Sequence, residues 1–267
     1  MFCIVLGALS TSTHATVESF VSANGPQYSY QSDAVSVEDQ QTIGLSTAYA
    51  YGNVSLGVLR ARASNGPLSS GTSFSQVQFY EYVTFNAGAN GIGYLDWVFS
   101  AKVSPGIAGN QPLGPAQVAL HTQVDSIVEN HLLTNGFCPV GYTSCASERG
   151  GTTSYTKTGS IAFNIAPGPF YISTKLSGAA TDNSNVLALA AWMDASNTGR
   201  FFLRLPDDVS YTSESGSFLV NASPVPELGT GILSLCGALS LLSLYRRNTR
   251  RQCSRLCDRV TIFPTLE

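Results

Sequence analysis

Basic residues are scarce in this chain, and their distribution argues against two classes of partner. Only 14 of the 267 residues are Lys or Arg, and the first of them is Arg60. Residues 16–227 carry 8 Lys/Arg and 15 Asp/Glu, a net charge of −7. Nucleic-acid-binding domains present a basic patch, and anionic membrane surfaces attract basic segments. The acidic part of the chain therefore argues against nucleic acid and against docking on a membrane surface.

Motifs of the common catalytic and metal centres are also missing. The chain contains no G-x-S-x-G nucleophile turn, no H-E-x-x-H zinc motif, no P-loop and no dinucleotide-binding glycine pattern. His121 and His131 lie ten residues apart, outside any ligand spacing, and we interpret both as surface or edge residues. The sequence thus predicts a protein that is not an enzyme and has no cofactor.

Two alternatives to that prediction depend on acidic residues. A glycosidase needs two carboxyl groups at a defined separation, and the candidates are Glu81, Asp96, Asp125 and Glu129. Because sequence gives no such distance, we interpret these acids as solvated and keep a β-sandwich glycosidase as the remote alternative. Calcium is an open alternative at the oxygen-rich turns, which Asx turns also explain: residues 182–185, Asp194 with Asn197, and Asp207 with Asp208.

Two of the six cysteines fall in the central part of the chain. Cys138 and Cys145 enclose a short loop with two turn-forming residues, Pro139 and Gly141. In an oxidising compartment such a pair favours a disulfide. Metal binding is the alternative, but two cysteines with no nearby histidine do not complete a tetrahedral site.

Residues 16–221 are typical of one all-β domain. Gly, Ser, Thr and Asn are abundant, and Met and Lys are few. In residues 74–85, Val77, Phe79, Val83 and Phe85 alternate with polar residues, as expected of a half-buried strand. Further strands are predicted at 54–58, 94–103, 153–165, 170–176, 186–193 and 201–205, with a polar turn at 194–199 and a last strand ending at Val220. We expect a two-sheet sandwich of jelly-roll type.

One segment of this domain has the periodicity of a helix. Apolar and histidine side chains occur at i, i+3, i+4, i+7 and i+8 within residues 124–133. This spacing predicts a single amphipathic helix over a sheet edge.

The N-terminus has the character of an export signal. Residues 2–9 form a short apolar run, and Thr13-His14-Ala15 offers a small residue at a cleavage position. We predict a signal peptide at residues 1–15, with a first β-strand as the alternative.

The C-terminus combines an apolar segment with a basic stop. Residues 228–244 are 17 residues without a charge, close to the length of a membrane-spanning helix. Tyr245 stands at the expected interface, and the cluster after it favours a cytoplasmic C-terminus: Arg246, Arg247, Arg250 and Arg251. We predict a linker at 222–227, a transmembrane helix at 228–245 and a basic tail at 246–267.

Val225-Pro226-Glu227, the Leu-rich segment and the arginine cluster together resemble the PEP-CTERM sorting signal. Leu228 stands where that signal has its second proline, and 16 residues follow Arg251. The family consists of exported proteins of Gram-negative bacteria that make extracellular polysaccharide. The resemblance implies recognition by an exosortase-type processing enzyme, with the domain held outside the inner membrane or released to the cell surface or matrix.

Two functions follow from these observations. The first is a non-catalytic, surface- or matrix-associated protein. The second is a module that binds extracellular polysaccharide, with Tyr80, Tyr82, Trp97 and Trp192 as candidate stacking residues. Three or more aromatics on one exposed sheet face would favour binding, whereas aromatics inside the sandwich would favour the structural role.

Overall fold

The computed structural model describes residues 16–66, 71–86, 88–108, 111–136, 138–147, 151–182 and 190–220. All regular elements in these residues are β-strands, which confirms the all-β prediction. The described residues contain no helix long and apolar enough to cross a bilayer. The predicted signal peptide, linker, transmembrane helix and basic tail lie outside the described residues, as does the sorting motif.

The described strands are between 3 and 15 residues long, and several of the longer ones alternate in burial. Their bounds are β1 Thr16–Ser22, β2 Ser29–Asp33, β3 Ser36–Ile43, β4 Ser46–Asn53, β5 Val58–Asn65, β6 Gly71–Phe85, β7 Ile92–Ser104, β8 Gly106–Ala108, β9 Gln111–Gly114, β10 Ala116–Val124, β11 Ile127–Thr134, β12 Ser144–Ser147, β13 Thr153–Asn164, β14 Pro169–Asp182, β15 Ala191–Arg204 and β16 Tyr211–Ser213.

These strands form two main sheets. The larger sheet has the order β12-β11-β10-β14-β6-β1-β2, with β16 also paired to β6, and the smaller has the order β13-β7-β15-β5-β4-β3. Strands β8 and β9 form a separate two-stranded sheet. Strands of the two main sheets face each other, β1 against β4, β14 against β15 and β11 against β13. The fold is therefore β-sandwich-like, with an outward side on each sheet.

The core between the sheets has a thin part and a thick part. Near β1 and β4 the inward residues are small, and a Cβ added to Gly52 would lie 2.6 Å from Val17 and 2.7 Å from Val77. Elsewhere bulky rings fill the space, with Phe79 edge-on to Phe201 and Phe218 at centroid distances of 5.7 and 5.8 Å. Such close packing leaves the outward sides as the places where polar and aromatic residues contact solvent.

The helix predicted at residues 124–133 is wrong, because this segment forms a β-hairpin. Strand β10 ends at Val124 and β11 begins at Ile127, and these two residues are register partners. Asp125 has a φ of 52°, in the left-handed region that a tight hairpin turn requires. The helix-like spacing arose because the apolar residues belong to two strands joined by two turn residues.

Three strand boundaries also differ from the sequence prediction. Residues 54–57 are a turn, with Gly57 at a φ of 61°, so the strand predicted at 54–58 is wrong. The predicted polar turn at 194–199 is a bulge within the continuous strand β15. The last strand ends at Ser213 rather than Val220, and the residues after it fold inward so that Phe218 is fully buried.

Cys138 and Cys145 form the predicted disulfide, with an S–S distance of 2.07 Å. The bridge closes the loop before β12, which pairs with β11 in parallel. Parallel neighbours need a connection longer than a tight turn, and the disulfide constrains that connection.

Candidate functional site

The outward side of the larger sheet carries a group of aromatic side chains. Those on β1, β6 and β14 alternate with residues that are buried in the core, so the strand period of two places them on the outside. Tyr30 on β2 joins them as the register partner of Phe20. We name this surface the aromatic face, and its members are Phe20, Tyr30, Phe74, Tyr80, Tyr82 and Tyr171.

Neighbouring strands bring these rings into contact. Phe20 and Tyr30 are register partners of β1 and β2, with ring centroids 4.7 Å apart. Tyr82 and Tyr171 are register partners of β6 and β14, with centroids 5.4 Å apart. Tyr30 and Tyr82 remain 46% and 42% exposed, so the aromatic pairs present ring surface to solvent.

A row of polar residues crosses the sheet between the two aromatic pairs. The register aligns one residue from each of six adjacent strands: Asn130, His121, Lys175, Gln78, Glu18 and Ser32. At about 4.8 Å between strands, this row spans roughly 24 Å. It offers amide, ammonium, imidazole, carboxylate and hydroxyl groups along one line.

Glu18 organises one end of this row. The residue is only 8% exposed, and its carboxylate accepts hydrogen bonds from Gln78 Nε2 at 2.7 Å, Tyr30 Oη at 3.1 Å and Tyr80 Oη at 3.3 Å. Burial, and then the nearby Glu18 carboxylate, raise the pKa of Tyr30, so its phenol stays protonated as a donor. Three donors on one carboxylate fix the positions of both tyrosine rings before any ligand arrives.

The other end of the row is also held by a hydrogen bond. His121 Nδ1 lies 2.6 Å from Asn130 Oδ1 on the neighbouring strand. Lys175, on the strand between His121 and Gln78, is half-buried and is the one lysine of the row. The row therefore has fixed polar groups at both ends and a cation near its middle.

The candidate stacking residues named from sequence separate into three environments. Tyr80 and Tyr82 lie on the aromatic face, whereas Trp97 is 2% exposed and points into the core. Trp192 is half-buried on the outward side of the smaller sheet. Sequence reasoning missed Glu18, Phe20 and their neighbours, although the alternation in residues 16–22 carries the signal.

The carboxylates considered for glycoside hydrolysis are not brought together. Glu81 is fully buried and faces inward from β6, whereas Asp96 faces outward from β7 and accepts two hydrogen bonds from Arg204. Asp125 is the exposed turn residue after β10, and Glu129 lies on β11. Glu81 of the larger sheet lies in the core and Asp96 lies on the outward side of the smaller sheet, so the two carboxyl groups do not face a common cleft.

His131 is buried, so its interpretation as a surface or edge residue is wrong. Its Nδ1 lies 2.7 Å from Ser144 Oγ and its Nε2 lies 3.3 Å from Glu129 Oε2, which also accepts a hydrogen bond from Trp97 Nε1 at 3.0 Å. The contacts run from serine to histidine to glutamate, as in a Ser-His-acid catalytic triad. The imidazole is only 1% exposed, however, and stacks at 4.3 Å on the Trp97 ring, while Ser144 Oγ also contacts Tyr155 Oη at 3.0 Å. Because these polar atoms are hydrogen-bonded to one another around a buried imidazole, we interpret the group as a structural hydrogen-bond network.

The oxygen-rich turns bring no cluster of metal-ligating side chains together within the described part of the chain. Across those residues, no group of three or more His, Cys, Asp or Glu side chains is placed to hold a metal ion. Asp194 bonds the backbone N–H of Ser196 at 2.8 Å, as an Asx turn does. Residues 183–185 of the first candidate turn lie outside the described residues.

A shallow depression of about 140 Å³ lies beside the ends of β7, β11 and β13. Its lining is Ile92, Ile127, Ala162, Phe163 and Asn164, with no titratable side chain. It offers no acid–base chemistry, and the aromatic face remains the strongest candidate for function.

Comparison with known proteins adds no assignment to this geometry: no protein-family model matches the chain, and no curated protein is detectably similar to it.

Proposed function

We propose that this chain is an exported, non-catalytic surface or matrix protein that binds extracellular polysaccharide through the aromatic face. The observation that carries the proposal is the flanking of a six-strand polar row by the ring pairs Phe20–Tyr30 and Tyr82–Tyr171. This meets the criterion of three or more aromatics on one exposed sheet face.

The chemistry of the aromatic face suits a sugar polymer. Sugar rings have apolar C–H faces and polar hydroxyl edges, so they need ring surface and hydrogen-bonding groups side by side. Tyr82 and Tyr171 offer ring surface, Tyr80 and Ser173 offer hydroxyl groups in the adjacent outward row, and Gln78 and Lys175 offer donors in the row after it. The bonds from Tyr30 and Tyr80 to Glu18 reduce the conformational entropy that binding would otherwise cost.

The proposed location rests on the ends of the chain and on the disulfide. The signal-like residues 1–15, the PEP-CTERM-like motif at Val225-Pro226-Glu227 and the apolar residues 228–245 together describe export followed by anchoring. A disulfide between Cys138 and Cys145 is in keeping with an oxidising compartment. The partners in this proposal are an exosortase-type enzyme, the inner membrane and polysaccharide.

The finer architecture belongs to the same proposal. Consecutive strands from β5 to β7 and from β12 to β15 alternate between the two sheets, which supports a jelly-roll-type sandwich. The transmembrane helix at residues 228–245 would follow the domain after the short linker.

Binding is tested with a purified extracellular polysaccharide and two matched variants. The double variant Tyr82→Ala/Tyr171→Ala removes one aromatic pair, and we expect its affinity to fall about tenfold or more, since truncating an aromatic anchor of a binding surface costs about 1–2 kcal/mol. Tyr142→Ala removes a 37% exposed ring from the disulfide-closed loop, outside the aromatic face, and should bind like the wild type. Equal affinity for all three proteins in titration calorimetry would rule out the aromatic face as the binding surface.

Location is tested by fractionating cells that express the protein with and without residues 226–251. We expect the intact chain in the membrane or outside the cell, and the shortened chain to lose membrane association. An intact chain found soluble in the cytoplasm would refute the export proposal without bearing on the binding assay.

A further inference from the structure

The outward side of the smaller sheet concentrates the positive charge of the domain. We name it the basic face, and its cations are Arg60, Arg62, Lys102, Arg200 and Arg204, five of the eight Lys and Arg between residues 16 and 227. The same face carries three carboxylates, Glu38, Asp96 and Asp194, which leaves it with a net charge of +2. The rest of residues 16–227 has three Lys/Arg and twelve Asp/Glu. The positive charge of this acidic domain is therefore concentrated on one surface.

Two of these cations are paired with carboxylates on the same face. Arg204 donates to both oxygens of Asp96, at 2.9 and 3.2 Å. Arg62 Nε donates to Asp194 Oδ1 at 3.3 Å. The pKa of Asp194 is lowered although its burial alone would raise it, because Ser196 and Arg62 stabilise the charged form. The Asp194 carboxylate is therefore ionised at neutral pH.

Three cations have no carboxylate partner among the residues that the structure describes: Arg60, Lys102 and Arg200. Lys102 and Arg200 are exposed, and Arg60 lies over the Tyr51 ring at 5.3 Å. Arg60 is on β5 and Lys102 is on β7, with β15 and its Arg200 between them. The three charges thus stand on adjacent strands, over about 10 Å across the sheet.

The geometry points to a carboxylated polysaccharide as the ligand of the basic face. The choice of a polysaccharide rests on the proposed function, and the choice of a carboxylated one rests on the charges of this face. Guanidinium groups pair with carboxylates in a bidentate manner, as Arg204 does with Asp96, so Arg60 and Arg200 are suited to sugar carboxylates.

Nucleic acid fits this surface less well. Binding of single strands uses exposed rings for base stacking, but the guanidinium of Arg204 covers Tyr94 at 4.0 Å and that of Arg60 covers Tyr51.

The full-length protein is tested against polygalacturonate, a linear polymer of carboxylated sugar. In the variant Arg60→Gln/Lys102→Gln/Arg200→Gln we expect at least about a tenfold loss of affinity and a shallower dependence on salt, because fewer counterions are released. All three substitutions are on the outward side of the sheet, so we expect the variant to fold. Its thermal unfolding checks this. Unchanged affinity in a folded variant would overturn the inference.

Three further arms separate this inference from the proposed function. Fully methyl-esterified polygalacturonate has the same backbone without the charge and should bind the basic face weakly; equal binding of both polymers would contradict a carboxylate site. Single-stranded DNA that competes as effectively as polygalacturonate would overturn the choice of polysaccharide. If Tyr82→Ala/Tyr171→Ala loses polygalacturonate binding and the basic-face variant keeps it, the polymer binds the aromatic face alone.

Discussion

Glu81 is a carboxyl group enclosed in the core of the domain. Its Oε1 accepts hydrogen bonds from the backbone N–H groups of Tyr82 and Ser215, each at 3.2 Å, and its Oε2 has no partner among the described residues. Burial raises the pKa of this carboxyl above its ordinary value of 4.5, although these hydrogen bonds lower it in part. The folded state therefore holds the proton more tightly than the unfolded state does.

This raised pKa makes stability depend on pH. The unfolded state loses the Glu81 proton first, so the free energy of unfolding falls as the pH rises from about 4.5 through the raised pKa. Glu81→Gln keeps an acceptor without a charge, and we expect its Tm at pH 7 to rise by about 2–4 °C, the change for 1 kcal/mol in a domain of this size. Thermal unfolding across pH 4–8 checks this, with Asp207→Asn at an exposed turn as the control. A Tm difference that does not grow with pH would refute the account.

His131 has the opposite dependence on pH. Burial lowers the pKa of its imidazole below 6.5, as does the nearby charge of Lys157, although Glu129 raises it in part. Because the pKa of His131 is lower in the folded state, its neutral form contributes fully to the free energy of unfolding above about pH 6.5. This contribution is lost as the pH falls, since the unfolded state takes up the proton first.

The variant His131→Gln should show this effect as a difference between two profiles. We expect it to be less stable at pH 7 by roughly 1–3 kcal/mol, the cost of disturbing a buried hydrogen-bond network, and to lose less stability than the wild type between pH 6.5 and 5. Chemical denaturation at fixed pH values measures both quantities. His121→Gln, on the aromatic face, serves as the comparison, and parallel profiles for wild type and His131→Gln would exclude His131 as the source.

Single residues also mark the limit of what sequence can predict about the site. Tyr80 and Tyr82 were candidates because they occur in a clearly alternating strand, and both lie on the aromatic face. Trp97 was equally plausible from sequence, yet it is buried. In β7, Trp97 shares a face with Leu95 and Phe99, so alternation indicates its burial. Which outward side chains of different strands lie side by side is decided by long-range pairing, which local sequence does not reveal.

Among the elements, β12 lies at one edge of the larger sheet, next to a covalent constraint. It contains four residues, pairs with β11 alone among the described strands, and follows the loop that Cys138 and Cys145 close. Ser144 on this strand contacts His131 and Tyr155, so the position of β12 also determines the buried network.

Loss of the disulfide should therefore destabilise the domain. For Cys138→Ser/Cys145→Ser we expect a loss of about 2 kcal/mol, the stabilisation expected for a ring this small. A reducing agent should lower the Tm of the wild type to that of the variant and leave the variant unchanged. If reductant lowers both Tm values equally, the effect comes from elsewhere in the chain.

Element types were predictable where one strand supplied the whole pattern. Residues 74–85 alternate strictly, and β6 extends that prediction by three residues at its start. Residues 124–133 misled because a hairpin turn of two residues, Asp125 and Ser126, set the apolar positions of two strands into the period of a helix. Local sequence does not distinguish these cases, since pairing between strands is what decides them.

At the scale of the whole molecule, all the described residues belong to one compact unit, which ends at Ser223. Its core, as far as it is described, is built within residues 17–219. We expect a fragment of residues 16–223 to fold on its own, with a β-rich circular dichroism spectrum and a single cooperative thermal transition. A fragment that lacks a cooperative transition while the full chain retains one would show that the remaining residues are needed for folding.

The pairing of both β1 and β16 with β6 has a consequence for engineering. Thr16 is the register partner of Tyr80, Ser213 is that of Val83, and the Glu214 N–H bonds the Tyr82 carbonyl at 3.0 Å. The two strands therefore lie one after the other along the same side of β6, so the start of β1 at Thr16 is close to the end of β16 at Ser213. A domain with this layout is suited to circular permutation, and it could be inserted into a surface loop of another protein with little strain on either.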